Sequence, residues 1–125
     1  MRSPDNESLT ADRTQALRAL VQLQGELGAA ITALALYPWD SADELVTVTR
    51  NDLVRVLNGY LNGELTARDW ERWAEALEGR DDVGFDEGSG ELIKEFIFES
   101  ATPEIFEPLT PQLARQWLSR LEVNS

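Results

Sequence analysis

The stretch TRNDLVRVLNGYLNGELTARDWERWAEALEG, Thr49 to Gly79, carries the same start and stop signals twice. Thr49 is followed at the third position by Asp52, and Thr66 by Asp69. A hydroxyl at the N-cap accepts the N3 amide while a carboxylate at N3 reaches back to the N-cap amide. Each pair therefore opens a helix, with Asp standing where Glu is usual. After the first start, Leu53, Val56, Leu57, Tyr60 and Leu61 form an apolar stripe, and Gly63 supplies the stop. After the second, Trp70, Trp73, Ala74 and Leu77 line one face, and Gly79 ends it. Two amphipathic helices joined by so short a loop form an antiparallel pair, with both tryptophans in its core.

Toward the N-terminus, Thr10 is placed to cap a helix from Ala11, with Leu17, Leu20, Val21, Leu27, Ile31 and Leu34 on its inner face. Gly25 and Gly28 weaken its middle and Pro38 ends it. Residues 1–9 read as a flexible arm. Leu45 to Thr49 is β-branched, but no strand partner is evident, so it reads as an extended linker. Toward the C-terminus, Arg80 to Gly90 reads as a loop with two apolar anchors, Val83 and Phe85. Ser89 or Gly90 opens a helix whose buried side holds Leu92, Ile93, Phe96, Ile97 and Ala101, and Pro103 limits it. Ile105 and Phe106, between two prolines, are expected to pack on the core. Thr110-Pro111 opens the last helix, with Leu113, Ala114, Trp117, Leu118 and Leu121 facing inward. The fold class is all-α: a single-domain bundle of four to five helices with short loops over residues 10–122.

The chain has 125 residues, no histidine, no cysteine and a net charge of -12. Its length suits one domain, which buries roughly two thirds of the surface its unfolded form exposes. Disulfides and thiolate metal sites are excluded. The longest apolar stretch, Gly28 to Tyr37, is about half a membrane span and has no basic lead-in, which points to a cytoplasmic protein without a membrane role. The charge is uneven: Leu61 to Glu107 holds fourteen acids against four bases. Such a surface repels nucleic acid and anionic lipid and attracts a basic protein.

Within that segment, Asp81, Asp82, Asp86 and Glu87 crowd one loop, and Glu91, Glu95 and Glu99 follow at four-residue spacing. On a helix these three form a charged stripe about 12 Å long, and like charges so spaced repel one another. The seven residues are the candidate partner-binding set, weighed against a face that is merely solvated. The loop fails the calcium pattern: with Asp82 first, position 6 is Glu87 where glycine is needed, and position 12 is Ile93 where a bidentate Glu is needed. Trp39, after Pro38, is a candidate exposed anchor. Without His or Cys, and with neither a nucleophile elbow nor a phosphate loop, the sequence offers no catalytic residues, cofactor or metal. A carboxylate pair would need a pocket that splits its pKa values.

The runs NGYLNGELT (58–66), WAEALEGRDDVGFD (73–86), IFESATPEI (97–105) and PLT (108–110) resemble a pattern of small, acidic, uncharacterised bacterial proteins of immunity-like type, over roughly residues 49–121. The resemblance implies a non-enzymatic role beside a bacterial toxin. In general character the chain is similar to nuclease-colicin immunity proteins, acidic helical bundles that neutralise a basic nuclease. Their paired-tyrosine motif is absent, so no binding residue is carried over. The expected partner is a basic protein, bound by a monomer or homodimer. The alternatives are a structural homo-oligomer with a solubilising acidic surface, or a weak divalent-cation binder.

Overall fold

In the computed structural model, which describes residues 4–123 and the side chains of 11–122, both capping boxes form. The element order is α1 (Pro4–Val21), α2 (Leu27–Leu34), β1 (Val46–Val48), α3 (Arg50–Leu61), α4 (Ala67–Leu77), β2 (Val83–Phe85), α5 (Gly90–Ala101) and α6 (Pro111–Val123). The protein is mainly helical. Among the described residues it has six helices, where four to five were expected, and a two-stranded parallel sheet where none was.

The boxes explain where α3 and α4 begin. Asp52 Oδ2 accepts the Thr49 amide at 2.9 Å and Thr49 Oγ1 accepts the Asp52 amide at 3.4 Å. At α4 the corresponding distances are 2.9 Å for the Thr66 amide and 3.0 Å for the Asp69 amide. Gly63 and Gly79, both at φ 83, turn the chain in the left-handed region beyond each helix end. Thr110 accepts the Leu113 amide at 3.1 Å and starts α6.

The expected first helix divides. Its backbone already begins at Pro4, so residues 4–9 of the expected arm are helical and Thr10 lies inside α1 instead of capping it. Residues 1–3 lie outside the described residues. The break falls between Val21 and Leu27, where Leu23 takes φ 55 and Gly25 φ 74. A leucine in the left-handed region is unfavourable, and here its side chain packs against the core, which offsets the cost.

The Leu45 to Thr49 segment has a partner after all. β1 pairs in parallel with β2, Val46 opposite Val83 and Val48 opposite Phe85. The ladder is extended by Leu45 N donating to Asp82 O at 2.8 Å and Asp86 N donating to Val48 O at 2.9 Å. Val46 and Val48 are buried while Thr47 is exposed, which is the alternation of a strand with one inner face. Parallel strands need a long crossover, and α3 with α4 supplies it.

The core centres on Phe96 of α5. Its ring lies 6.1 Å from Trp70, 6.3 Å from Trp73 and 5.1 Å from Trp117, the last edge-on at 90°. All four are buried, and such pairs add about 0.5–1.5 kcal/mol each beyond the burial itself. The indole N–H groups are satisfied: Trp70 donates to Ser100 Oγ and Trp73 to Leu20 O, both at 3.0 Å. Arg50 ties the start of α3 to Ser89 Oγ and Leu121 O, each at 2.6 Å.

The two caps differ in burial. Asp52 is buried and also accepts from Arg55 at 2.8 Å, whereas the box at Thr66 is exposed. Thr66→Ala should cost about 1 kcal/mol, and Thr49→Ala about 2 kcal/mol, because it also leaves a buried carboxylate short of a donor. Urea midpoints at unchanged m-value measure both, and equal losses would contradict the role given to burial.

Candidate protein-interaction surface

The seven acidic residues separate into an inward one and outward ones. Asp82 is completely buried. Its Oδ1 accepts from Arg80 Nε at 2.9 Å, and its Oδ2 accepts from Arg80 Nη2 at 3.0 Å and Arg13 Nε at 2.9 Å. The same guanidinium groups donate onward: Arg13 Nη2 to Pro38 O and Asp40 O at 2.9 Å, and Arg80 Nη2 to Pro38 O at 3.0 Å. Asp82 therefore leaves the candidate surface. Both its oxygens are occupied, so the only aspartate placed first in the calcium pattern above has turned away from solvent. Burial pushes its pKa up, but the hydrogen bonds from Arg80 and then Arg13 outweigh that and hold it below the ordinary carboxylate value.

The other six stay at the surface. Asp81, Glu87, Glu91 and Glu95 are exposed, while Asp86 and Glu99 are half-buried. Among the described residues, no group of three or more carboxylates is arranged to hold a metal ion. Glu95 pairs with Arg120 of α6 at 2.7 Å, and that guanidinium also lies 4.2 Å from the Trp117 ring. Glu99 has its pKa raised, first by burial, then by a hydrogen bond with Glu95 and by the charges of Glu95 and Glu107; Arg120 opposes this only in part. The carboxylates of α5 and of the connection after it thus form one electrostatic group.

That connection differs from expectation. Ile105 is 67 % exposed and Phe106 44 %, instead of packing on the core, while Leu109 beyond them does pack. Thr102 Oγ1 donates to Phe98 O, and the Ile105 and Phe106 amides donate to Thr102 O, forming a turn that lifts both side chains outward. Phe106 meets Phe98 of α5 edge-on, with centroids 5.4 Å apart. Beneath the turn, an open groove of about 370 Å³ runs between Ala67, Arg68 and Glu71 of α4 and Pro103, Pro108 and Leu109. Trp39 is half-exposed as expected, with the Arg80 guanidinium 5.0 Å from its ring.

Residue types alone did not single out Arg13, Arg80, Phe98, Ile105 or Phe106. One signal was available for the last three: Glu95 to Ala114 contains four glutamates and no base, with these apolar side chains between them. Among the described residues, no helix is long and apolar enough to cross a membrane. Comparison with known proteins finds no matching family model, no matching curated protein and no matching solved structure.

Asp82 and Glu99 should bend the pH profile in opposite senses. The lowered pKa of Asp82 gives stability that is fully present above its ordinary value of 3.8 and is lost as pH falls through the depressed folded value. The raised pKa of Glu99 favours the fold while the group is protonated, so that contribution fades as pH rises from its ordinary 4.5 through the raised folded value. Thermal melts should show greatest stability in mild acid. Glu99→Gln should raise stability at neutral pH and remove the mild-acid gain. Asp82→Asn should cost about 3 kcal/mol at neutral pH, because the buried Arg80 guanidinium and the half-buried Arg13 guanidinium then lack a counter-charge. Parallel profiles for wild type and both variants would contradict these assignments.

Proposed function

We propose that the protein is a non-enzymatic, acidic protein-binding module, an immunity-like inhibitor or adaptor for a basic protein, and that the partner meets the exposed edge of the 80–90 loop and the outer face of α5. The observation that supports this most is the crowding on α5. Glu99 is half-buried beside Glu95, and its pKa is raised first by that burial and then by Glu95 and, more weakly, Glu107, with Arg120 opposing in part. A cationic partner would relieve that repulsion, which gives the arrangement a use. The same surface would steer a basic protein in diffusion and speed its association at low salt. The non-enzymatic reading is supported by a residue set without His or Cys and by the open-surface placement of Asp81, Glu87, Glu91 and Glu95.

Leu36, 81 % exposed, and Trp39 lie in the connection after α2 and favour a second reading, a homo-oligomer that covers them. Light scattering separates the two: a salt-insensitive dimer supports the oligomer. For the leading reading, immobilised protein should retain a basic polypeptide from its source organism at about 0.05 M salt and release it at about 0.5 M, where the Debye length shrinks to a few ångströms. Glu91→Lys combined with Glu95→Lys should abolish retention. Retention that persists in this variant would remove α5 from the binding face.

A further inference from the structure

We infer that the acidic face has an apolar centre, formed by Phe98, Ile105 and Phe106, and that this centre docks a basic amphipathic helix of the partner. The inference rests on the reading that this face binds a basic protein, and it adds which element of the partner is bound and where. Along α5, Glu91, Glu95 and Phe98 succeed one another at four- and three-residue spacing, so they share one helical face. The face passes from carboxylates to an aromatic ring, and Phe106 extends that ring onto the following turn. Ile105 precedes Phe106 in the same turn and is more exposed than either phenylalanine. Three large apolar side chains exposed together lose free energy in water, and a patch rimmed by charge is the usual form of an interaction site.

The rim is mainly acidic, and Arg68 of α4, which lines the groove beneath the turn, is paired with Glu71 and Glu75. Glu95 and Glu99 lie on the helix side and Glu104 and Glu107 within the turn, with no base in the chain from Glu95 to Ala114. Arg120, reaching in from α6, is paired with Glu95. A second copy of this chain would set carboxylates against carboxylates around the shared apolar contact, so self-association is disfavoured here. A partner with apolar side chains flanked by Lys or Arg matches both parts. The backbone positions of Glu91, Glu95 and Glu99 rise about 6 Å from one to the next along the axis, the same step that separates bases four residues apart on a helix lying alongside. The occupant is therefore helical, with apolar anchors on one stripe and bases on its flanks, the helix-in-groove mode of recognition.

The test uses the full chain and a synthetic peptide of about 14 residues, made of Leu and Lys with the leucines on one helical stripe, beside a scramble of identical composition that spreads them around the helix. Calorimetry at about 0.15 M salt should show the amphipathic peptide binding at least tenfold more tightly than the scramble. Amide NMR should place the shifts at Phe98, Ile105 and Phe106. Ile105→Ser combined with Phe106→Ser changes exposed side chains, and its melting curve checks that it folds. This variant should bind both peptides with the weaker affinity. Equal binding of the two peptides to wild type would overturn the apolar centre while leaving the acidic face intact. No binding of either at about 0.05 M salt would overturn the acidic face itself. Sedimentation showing a wild-type dimer that the double variant loses would assign the patch to a second copy and also overturn the proposal.

Discussion

The buried carboxylate of Asp82, held between Arg13 and Arg80, is the constraint on which the rest of the structure depends. Those two guanidinium groups bring α1, the Pro38 to Asp40 connection and the start of β2 to one point. From that point the backbone carbonyl of Asp82 accepts the Leu45 amide and begins the parallel ladder. Buried ion pairs add little net stability over well-packed apolar groups, but losing one member is expensive, because the remaining charges have no water to turn to. Among the described residues, no buried side-chain nitrogen or oxygen lacks a partner. The cluster thus resists rearrangement more than it drives folding, and the apolar weight is carried by Phe96 and the three tryptophans around it.

With Asp82 turned inward, the acidity of the chain divides into a structural part and a surface part. α5 links the two. Its inner side is fixed by Ile93, Phe96 and Ile97 in the core, and its outer side presents Glu91, Glu95 and Phe98. A helix pinned by a large aromatic cluster is a rigid platform, so its outward groups are preorganised and a partner need not order them on binding. Repulsion between Glu95 and Glu99 is tolerated because the core beneath α5 outweighs it.

Signals carried by neighbouring residues were legible in the sequence, and those that needed distant residues were not. The Thr49 and Thr66 boxes, the stops at Gly63 and Gly79, and the Thr110-Pro111 start depend on groups within one turn, and each forms as read. The β1–β2 pairing joins segments separated by two helices, with no turn between them to mark it, and Val83 and Phe85 are too few to announce a strand. Asp82 reads as one more acid in an acidic loop, because its burial depends on Arg13, far off in α1. Ile105 and Phe106 mislead for the opposite reason: their hydrophobicity predicts burial, whereas the turn at Thr102 directs them outward, where Phe106 meets Phe98. Composition alone thus sets Asp82 among the surface acids, where the fold buries it, and Ile105 and Phe106 in the core, where the fold exposes them.

Within the acidic loop, Asp82 is locked inside while Asp81 and Glu87 face solvent. Side-chain carboxyl NMR titration, recorded at low and high salt, tests it most directly. The account predicts that Asp82 titrates below the ordinary aspartate value of 3.8 at both salt concentrations, whereas Glu99 titrates above 4.5 and moves toward it as salt is added. An Asp82 that titrates with the surface carboxylates and shifts with salt as they do would contradict it.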